Sequence, residues 1–142
     1  MRTLFSAIAL SAFSLSLAFV ASAAMADTGF PSETLPSGVV IQKIITKNGP
    51  HPSATNVVTV NYRGALQNGT EFDSSYARHA PAKFPLNRVI PCWTDGVQKM
   101  SVGETARLTC PAATAYGLGG VPGKIPPNSV LTFEVELLSI EN

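Results

Sequence analysis

The sequence predicts an α+β domain in which an antiparallel sheet packs against one short helix. Most segments after residue 38 alternate apolar and polar residues, the pattern of strands that bury one face. Asn68 and Gly69 stand between two such segments, and this pair is the strongest short signal for a β-hairpin. Only the stretch that follows Val89 has helical spacing. A lone short helix cannot bury its apolar face by itself, so it must lie against the sheet.

The predicted helix opens on a proline and carries the chain's only tryptophan. Trp93, Val97 and Met100 recur at positions i, i+4 and i+7, which places them on one buried face. Proline suits the entry to a helix because the first N–H groups of a helix have no partner within it, so nothing is lost where proline lacks one. The ring also holds φ near the helical value. Asp95 and Lys99 are expected in the first and last turns, where each would complement the helix dipole.

The predicted strands cover the ranges 39–47, 57–66, 70–73, 82–86, 105–110 and 130–140. The clearest inward faces are Val58, Val60 and Tyr62; Ala106, Leu108 and Cys110; and Leu131, Phe133, Val135 and Leu137. Residues 111–128 form a long loop rich in glycine and proline that contains Tyr116. Loops of this length in a compact domain are more often functional than idle.

The N-terminus has the pattern of a secretory signal peptide. Arg2 is followed by an apolar run and then by small residues at Ala24 and Ala26, which predicts cleavage after Ala26, with Ala24 as the alternative. The run is shorter than the ~20 residues that a membrane span needs, so no stable membrane anchor is expected. These features predict a periplasmic or secreted protein with a signal peptide at 1–26, a flexible leader at 27–37 and one domain at 38–142.

The net charge and the cysteine and histidine content indicate which partners, bonds and cofactors to expect. Without Arg2, nine basic residues balance nine acidic ones, so net charge does not favour a nucleic-acid partner. Cys92 and Cys110 form an even pair in an exported chain, with Cys110 in the inward phase of its strand, which predicts a disulfide. His51 and His79 lack the spacing of metal ligands, so neither a metal nor another cofactor is expected.

The usual catalytic motifs are missing from the sequence. Residues 117–120 are glycine-rich but lack the Gly-Lys-Ser/Thr ending of a phosphate loop. No Gly-x-Ser-x-Gly nucleophile motif or close carboxylate pair is present. A set of aromatic and aliphatic residues could line an apolar cleft, although composition alone favours an ordinary core. The set is Tyr62, Phe72, Phe84, Val89, Ile90, Trp93, Tyr116, Ile125 and Phe133.

Six ordered motifs resemble the FKBP-type peptidyl-prolyl cis-trans isomerases over roughly residues 38–140. They are Val-Asn-Tyr-Arg-Gly at 60–64, Gly-Thr-Glu-Phe-Asp-Ser-Ser at 69–75, Val-Ile-Pro-Cys-Trp at 89–93, Ala-Tyr-Gly at 115–117, Ile-Pro-Pro at 125–127 and Leu-Thr-Phe-Glu-Val-Glu-Leu-Leu at 131–138. Residues 80–86 and 89–91 look most like the exported bacterial branch, similar to macrophage infectivity potentiator proteins. Only the short leader precedes the domain where that branch often has a helical dimerisation region, so a monomer is expected. Cys92 departs from the glycine usual before the tryptophan.

The resemblance implies a half-barrel sheet wrapped around the short helix, with the substrate proline bound over Trp93. The residues that it places in catalysis are Asp73, Trp93, Tyr116 and Phe133, with Asp73 and Tyr116 as polar contacts. The remaining substrate-binding residues would be Tyr62, Phe72, Phe84, Val89, Ile90 and Ile125, together with Arg78 as the basic partner of Asp73.

The activity implied is acceleration of X-Pro isomerisation during the folding of exported proteins. The twisted amide is less polar than the planar one, so a dry aromatic pocket favours it without an acid, a base or a metal. The implied partners are proline-containing unfolded or exported polypeptides and macrolide inhibitors such as rapamycin or tacrolimus. The alternative is a chaperone-like binding module for unfolded chains, with isomerisation incidental. A structural or adhesion domain would leave the long loop unexplained.

Overall fold

A computed structural model describes residues 29–142 as one antiparallel sheet of seven strands with a short helix packed on it. This confirms the predicted α+β class. The elements are β1 (Ser32–Thr34), β2 (Val40–Ile45), β3 (Val57–Leu66), β4 (Glu71–Ser74), β5 (Ala82–Pro85), α1 (Pro91–Val97), β6 (Thr105–Cys110), a 3-10 turn (Ala112–Thr114) and β7 (Leu131–Glu141). The predicted signal peptide lies outside the described residues. Between residues 29 and 142, no helix has the length and apolar character needed to cross a bilayer.

The sheet order is β1-β2-β6-β7-β3-β4, and β5 also pairs with β3. One edge of β3 pairs with β7 along its whole length. The other edge is shared, because β5 pairs with Val57 to Val60 and β4 pairs with Arg63 to Ala65. Between these two partners, the backbone N–H of Tyr62 donates to Ser75 Oγ at 2.9 Å. The sheet therefore divides at Tyr62, and this opening is where the candidate site lies.

The predicted inward faces are confirmed. Alternate residues of β3, β6 and β7 are buried, and every inward residue predicted for these strands belongs to one core cluster. The side chains of Trp93 and Val97 on α1 and of Met100 after it complete that core. The Asn68–Gly69 turn is confirmed as well: Gly69 has φ +88°, and the N–H of Leu66 donates to the carbonyl of Thr70 at 2.8 Å.

The expected dipole contacts of α1 are wrong. The helix has only seven residues, with no acidic side chain in its first turn and no basic one in its last. Asp95 is the fifth helical residue, and Lys99 lies beyond the end at Val97. The helix ends early because the N–H groups of Lys99 and Met100 donate to carbonyls three residues back, which tightens the chain into a turn.

The predicted leader contains a strand that the sequence pattern did not indicate. β1 pairs with β2, with Ser32 opposite Gln42 and Thr34 opposite Val40. All three residues of β1 are exposed, so no alternation of apolar and polar residues marks the strand. It forms because the edge of β2 offers unpaired backbone groups, and Leu35 anchors its end in the core.

A disulfide joins α1 to β6, which confirms the predicted pairing. Cys92 and Cys110 are both fully buried, and their Cα atoms are 5.6 Å apart. A Cβ on Gly96 of the same helix would lie 3.0 Å from the side chain of Leu108, so glycine allows the helix to approach the sheet closely. The disulfide and this close contact together hold α1 against β6, and they thereby fix the position of Trp93.

A buried carboxylate holds the turn after α1 in place. The Glu104 side chain accepts hydrogen bonds from the Lys43 ammonium and from the backbone N–H groups of Ser101 and Lys47. Burial by itself would raise the pKa of Glu104, but these hydrogen bonds outweigh it and lower the pKa from its ordinary value. Glu104 is therefore a charged, structural residue at neutral pH.

Candidate functional site

A cavity of about 460 Å³ opens where the sheet divides, above α1. Its volume falls in the range of small-ligand sites, and most of its lining is aromatic or aliphatic. The lining residues are Tyr62, Phe72, Asp73, Phe84, Arg88, Val89, Ile90, Trp93, Tyr116 and Phe133.

Trp93 forms the base of the cavity and is surrounded by other rings. Its centroid lies 5.2 Å from that of Tyr62, 5.4 Å from that of Phe84 and 5.4 Å from that of Phe133. All three pairs are edge-to-face, an arrangement that stabilises aromatic contacts beyond the burial of area. Trp93 Nε1 is buried and has no hydrogen-bond partner in residues 29–142. The base of the cavity is therefore aromatic, because the ring of Trp93 is enclosed by three other rings.

Gly64 makes room for two of the cavity's rings. A Cβ at this position would lie 2.6 Å from Phe72 Cζ and 2.7 Å from Phe133 Cε1, closer than such atoms approach. The two rings meet edge-to-face directly over it, with centroids 5.6 Å apart. The glycine in β3 thus lets Phe72 from β4 and Phe133 from β7 pack into one wall.

The polar part of the cavity is formed by Tyr62 and Asp73, which belong to a three-residue network with Arg78. The Tyr62 hydroxyl donates to Asp73 Oδ2 at 2.6 Å, and the backbone N–H of Ser74 donates to Asp73 Oδ1 at 2.9 Å. The Arg78 guanidinium donates to Asp73 and, at 2.9 Å, to the Tyr62 hydroxyl. Its central carbon also lies 5.6 Å from the centroid of the Tyr62 ring. Tyr62 therefore belongs both to the aromatic base and to this network.

The network fixes the charges of its members at neutral pH. Burial alone would raise the pKa of Asp73, but the hydrogen bonds from Tyr62 and Arg78 outweigh it and lower the pKa below 3.8. Burial and the hydrogen bond to Asp73 raise the pKa of Tyr62 above 10.0. The hydrogen bond to Asp73 also raises the pKa of Arg78. The carboxylate and guanidinium are thus charged and the phenol is neutral.

The long loop brings Tyr116 over the cavity. The loop is pinned by backbone hydrogen bonds, including those from Gly117 N–H to Ala112 and from Asn128 N–H to Gly117. Gly120 has φ +60°, and a Cβ there would lie 2.3 Å from the carbonyl oxygen of Ile125, so the tight loop requires glycine. Tyr116 is 42 % exposed, and its hydroxyl has no hydrogen-bond partner within residues 29–142. That hydroxyl is available to a ligand.

The structure brings most of the predicted site residues together. Nine of them line the cavity: Tyr62, Phe72, Asp73, Phe84, Val89, Ile90, Trp93, Tyr116 and Phe133. Arg78 lies behind Asp73 rather than on the lining. Cys92 and Cys110 are buried beneath the site. The roles of these residues in binding and catalysis stay predictions.

Two positions differ from the expectation. Ile125 does not line the cavity: it is buried and borders a separate hollow of about 410 Å³ on the loop, because an antiparallel bridge to Val121 turns it inward. Arg88 lines the cavity and was not predicted. It lies in the short turn between β5 and α1, which has no periodicity, and its position directly before Val89 was the only available signal.

Residues 29–142 contain no cluster of three or more His, Cys, Asp or Glu side chains placed to hold a metal ion. The cavity can enclose an apolar group against Trp93, and its polar groups can bond to a ligand: the Tyr116 hydroxyl can donate a hydrogen bond and the Asp73 carboxylate can accept one.

The family model for FKBP-type peptidyl-prolyl cis-trans isomerases matches residues 49–138. The isomerase FkpA of Aeromonas hydrophila is 51 % identical over 105 residues, which cover 74 % of this chain and 39 % of that protein. The isomerase FKBP1A of Xenopus laevis is 50 % identical over 107 residues, covering 73 % of this chain and 99 % of that protein. The chain belongs to the FKBP-type peptidyl-prolyl cis-trans isomerase family.

A solved structure shares the same fold. The crystal structure of FkpA from Escherichia coli matches with a TM-score of 0.74 at 44 % identity, over 78 % of this chain and 51 % of that one. The chain thus spans about two fifths of the length of the Aeromonas relative and about half of the Escherichia coli structure. The FKBP-like architecture inferred from the sequence motifs is confirmed.

Proposed function

We propose that this chain is a peptidyl-prolyl cis-trans isomerase that acts on X-Pro bonds of exported polypeptides. The observation that carries the proposal is the aromatic base of the cavity, where Trp93 is enclosed by Tyr62, Phe84 and Phe133. Membership of the isomerase family supports the same activity. An X-Pro bond isomerises in tens to hundreds of seconds without catalysis, slowly enough to limit folding.

The pocket accelerates this step by binding the twisted amide better than the planar one. Rotation breaks amide resonance at a cost of about 18–20 kcal/mol and removes the charge separation of the planar form. The proline ring lies over Trp93, between Phe72 and Phe133 on one side and Phe84 on the other. In this apolar environment the less polar twisted state gains relative to the planar amide. The contacts with the aromatic side chains thereby stabilise the transition state more than the bound planar peptide.

The polar groups position the peptide and transfer no proton. The Tyr116 hydroxyl donates to a carbonyl of the bound chain, which holds the amide in the orientation for rotation. The pKa of Asp73 is lowered from 3.8, so its carboxyl is charged at neutral pH. The pKa of Tyr62 is raised from 10.0, so its phenol is neutral there. No group of this network therefore titrates near pH 7, so the rate of isomerisation is flat between about pH 6 and 8.

The test is isomerisation of a short X-Pro peptide by the wild-type chain and by Trp93→Ala, Phe133→Ala, Tyr116→Phe and Asp73→Ala variants. We expect strong losses of kcat/KM for the two ring deletions and partial losses for the other two. Circular dichroism must show that each variant is folded, because loss of a buried ring also costs about 3–5 kcal/mol of stability. A bell-shaped pH profile, or a folded Asp73→Ala variant with no activity, would indicate proton transfer instead.

An aggregation assay beside the peptide assay separates catalysis from binding of unfolded chains. A chaperone-like module with incidental isomerisation would suppress aggregation of an unfolded protein equally well as wild-type chain and as a Tyr116→Phe variant with reduced peptide isomerisation. We also propose that macrolides such as rapamycin or tacrolimus occupy the cavity. Relatives from Candida glabrata and Saccharomyces cerevisiae carry the name FK506-binding protein 1. Competitive inhibition of peptide isomerisation would support this, and unchanged rates at saturating macrolide would contradict it.

Export to an oxidising compartment is part of the proposal. The disulfide between Cys92 and Cys110 supports it, because such bonds persist mainly outside the cytosol. The apolar N-terminus supports it through the signal-peptide pattern. N-terminal sequencing of the exported protein should find Asp27, or Met25 if cleavage follows Ala24. An intact Met1 on exported protein would contradict the assignment. The predicted monomer is tested by light scattering on the purified chain.

A further inference from the structure

Arg88 is a positively charged residue at the cavity, and no neighbouring group neutralises its charge. It is exposed and lines the cavity beside Val89, in the turn that leads from β5 into α1. Its backbone N–H donates to the carbonyl of Pro85 at 3.0 Å, which fixes its place in the turn. Its guanidinium makes no ion pair or hydrogen bond with any group in residues 29–142. It is therefore available to a ligand.

The other charges at the cavity cancel. Asp73 is the only other charged residue on the lining, and its carboxylate is paired with Arg78 and hydrogen-bonded by Tyr62 and the backbone of Ser74. One negative and one positive charge thus form a closed network on one wall. The guanidinium of Arg88 is left as a net positive charge at the mouth.

We infer that Arg88 makes the chain favour prolines that have an acidic side chain directly before or after them. The inference rests on the isomerase function proposed above and specifies its substrates. A planar guanidinium matches a carboxylate with two parallel hydrogen bonds, which makes arginine a better partner for it than lysine. Because Arg88 is exposed to solvent, the preference is modest, about two- to five-fold in kcat/KM.

The experiment compares isosteric peptides on the full chain. The pairs are Ala-Glu-Pro-Phe with Ala-Gln-Pro-Phe, and Ala-Ala-Pro-Glu with Ala-Ala-Pro-Gln. The readout is the ratio of kcat/KM for the acidic and the amide peptide in each pair, so general losses of activity cancel. The wild-type chain is compared with Arg88→Lys, Arg88→Gln and Arg88→Glu. Lys47→Gln is the matched control, since it removes one exposed positive charge that does not line the cavity.

We expect the wild-type ratio to exceed one in at least one pair, to fall partly with Arg88→Lys and fully with Arg88→Gln, and to reverse with Arg88→Glu. High salt should bring the wild-type ratio toward one, because the screening length falls to about 3 Å at 1 M. Lys47→Gln should leave the ratio unchanged. Equal ratios in wild type and Arg88→Glu, with all peptides isomerised, would overturn this inference alone. A wild-type chain that isomerises none of the peptides would overturn the proposed function as well.

Discussion

Reduction of the Cys92–Cys110 disulfide should destabilise the domain by about 3 kcal/mol. The two cysteines are 18 residues apart, and closing a loop of that length removes about 11 cal/mol/K of entropy from the unfolded chain, or about 3 kcal/mol at 25 °C. Reduction leaves both side chains in place, so the loss measures the bond rather than a cavity. It matters for the site because the bridge ties the start of α1, next to Trp93, to β6.

Urea unfolding with and without a thiol reductant measures this effect. Trp93 is the chain's only tryptophan and is buried at the cavity base, so its fluorescence reports unfolding of the site itself. Domains of this size lose about 1–3 kcal/mol of stability per molar urea. The unfolding midpoint should therefore fall by about 1–3 M on reduction.

The Cys92→Ala/Cys110→Ala double variant is the control. Its midpoint should not respond to reductant, because it has no bond to lose. It should also lie below that of the reduced wild type, since removing two buried sulfur atoms leaves a cavity. Equal unfolding midpoints for the oxidised and the reduced wild type would refute the calculated loss of about 3 kcal/mol. They would mean that the packing of α1 on the sheet is sufficient without the disulfide.

Two further substitutions test the supports of the site. Glu104→Gln should cost about 1–3 kcal/mol at pH 7, since it replaces a buried carboxylate that accepts a hydrogen bond from Lys43. The pKa of Glu104 is lowered in the folded state, so its contribution is present above the ordinary value of 4.5 and is lost as pH falls through the lowered one. Urea midpoints should converge in acid, and a gap that widens there would contradict the assignment. Gly64→Ala should lower the free energy of unfolding by about 1–3 kcal/mol and reduce kcat/KM, because the added Cβ displaces the rings of Phe72 and Phe133. Full activity in a folded variant would contradict this, because it would show that the two rings can move without loss of function.

The sequence was enough to predict the sheet and its buried faces. Buried positions alternate with more exposed ones from Val57 to Gly64 in β3 and from Leu131 to Leu137 in β7, so the inward sides of these strands follow from a period of two. The turn at Asn68 and Gly69 needed only a residue that tolerates positive φ. These features depend on neighbours in the chain, which the sequence records directly.

Most of the candidate site was also predictable, although for a different reason. Composition alone could not distinguish a cleft from a core, because the same aromatic residues serve both. The motifs around Asp73, Trp93 and Tyr116 identified the family, and the family implied which side chains face one another. The cavity lining then contained every predicted catalytic or substrate-binding residue except Ile125 and Arg78.

The remaining features were decided only by the tertiary structure. β1 forms by pairing its backbone with β2, and an exposed edge strand needs no apolar periodicity. Ile125 turns away from the cavity because of a bridge within its own loop, and Arg88 reaches it because a short turn enters α1 there. The sequence by itself determined the elements whose burial repeats along the chain. Pairing with a neighbouring strand decided β1, and the geometry of a loop and a turn decided the positions of Ile125 and Arg88, because none of these leaves a periodic pattern in the sequence.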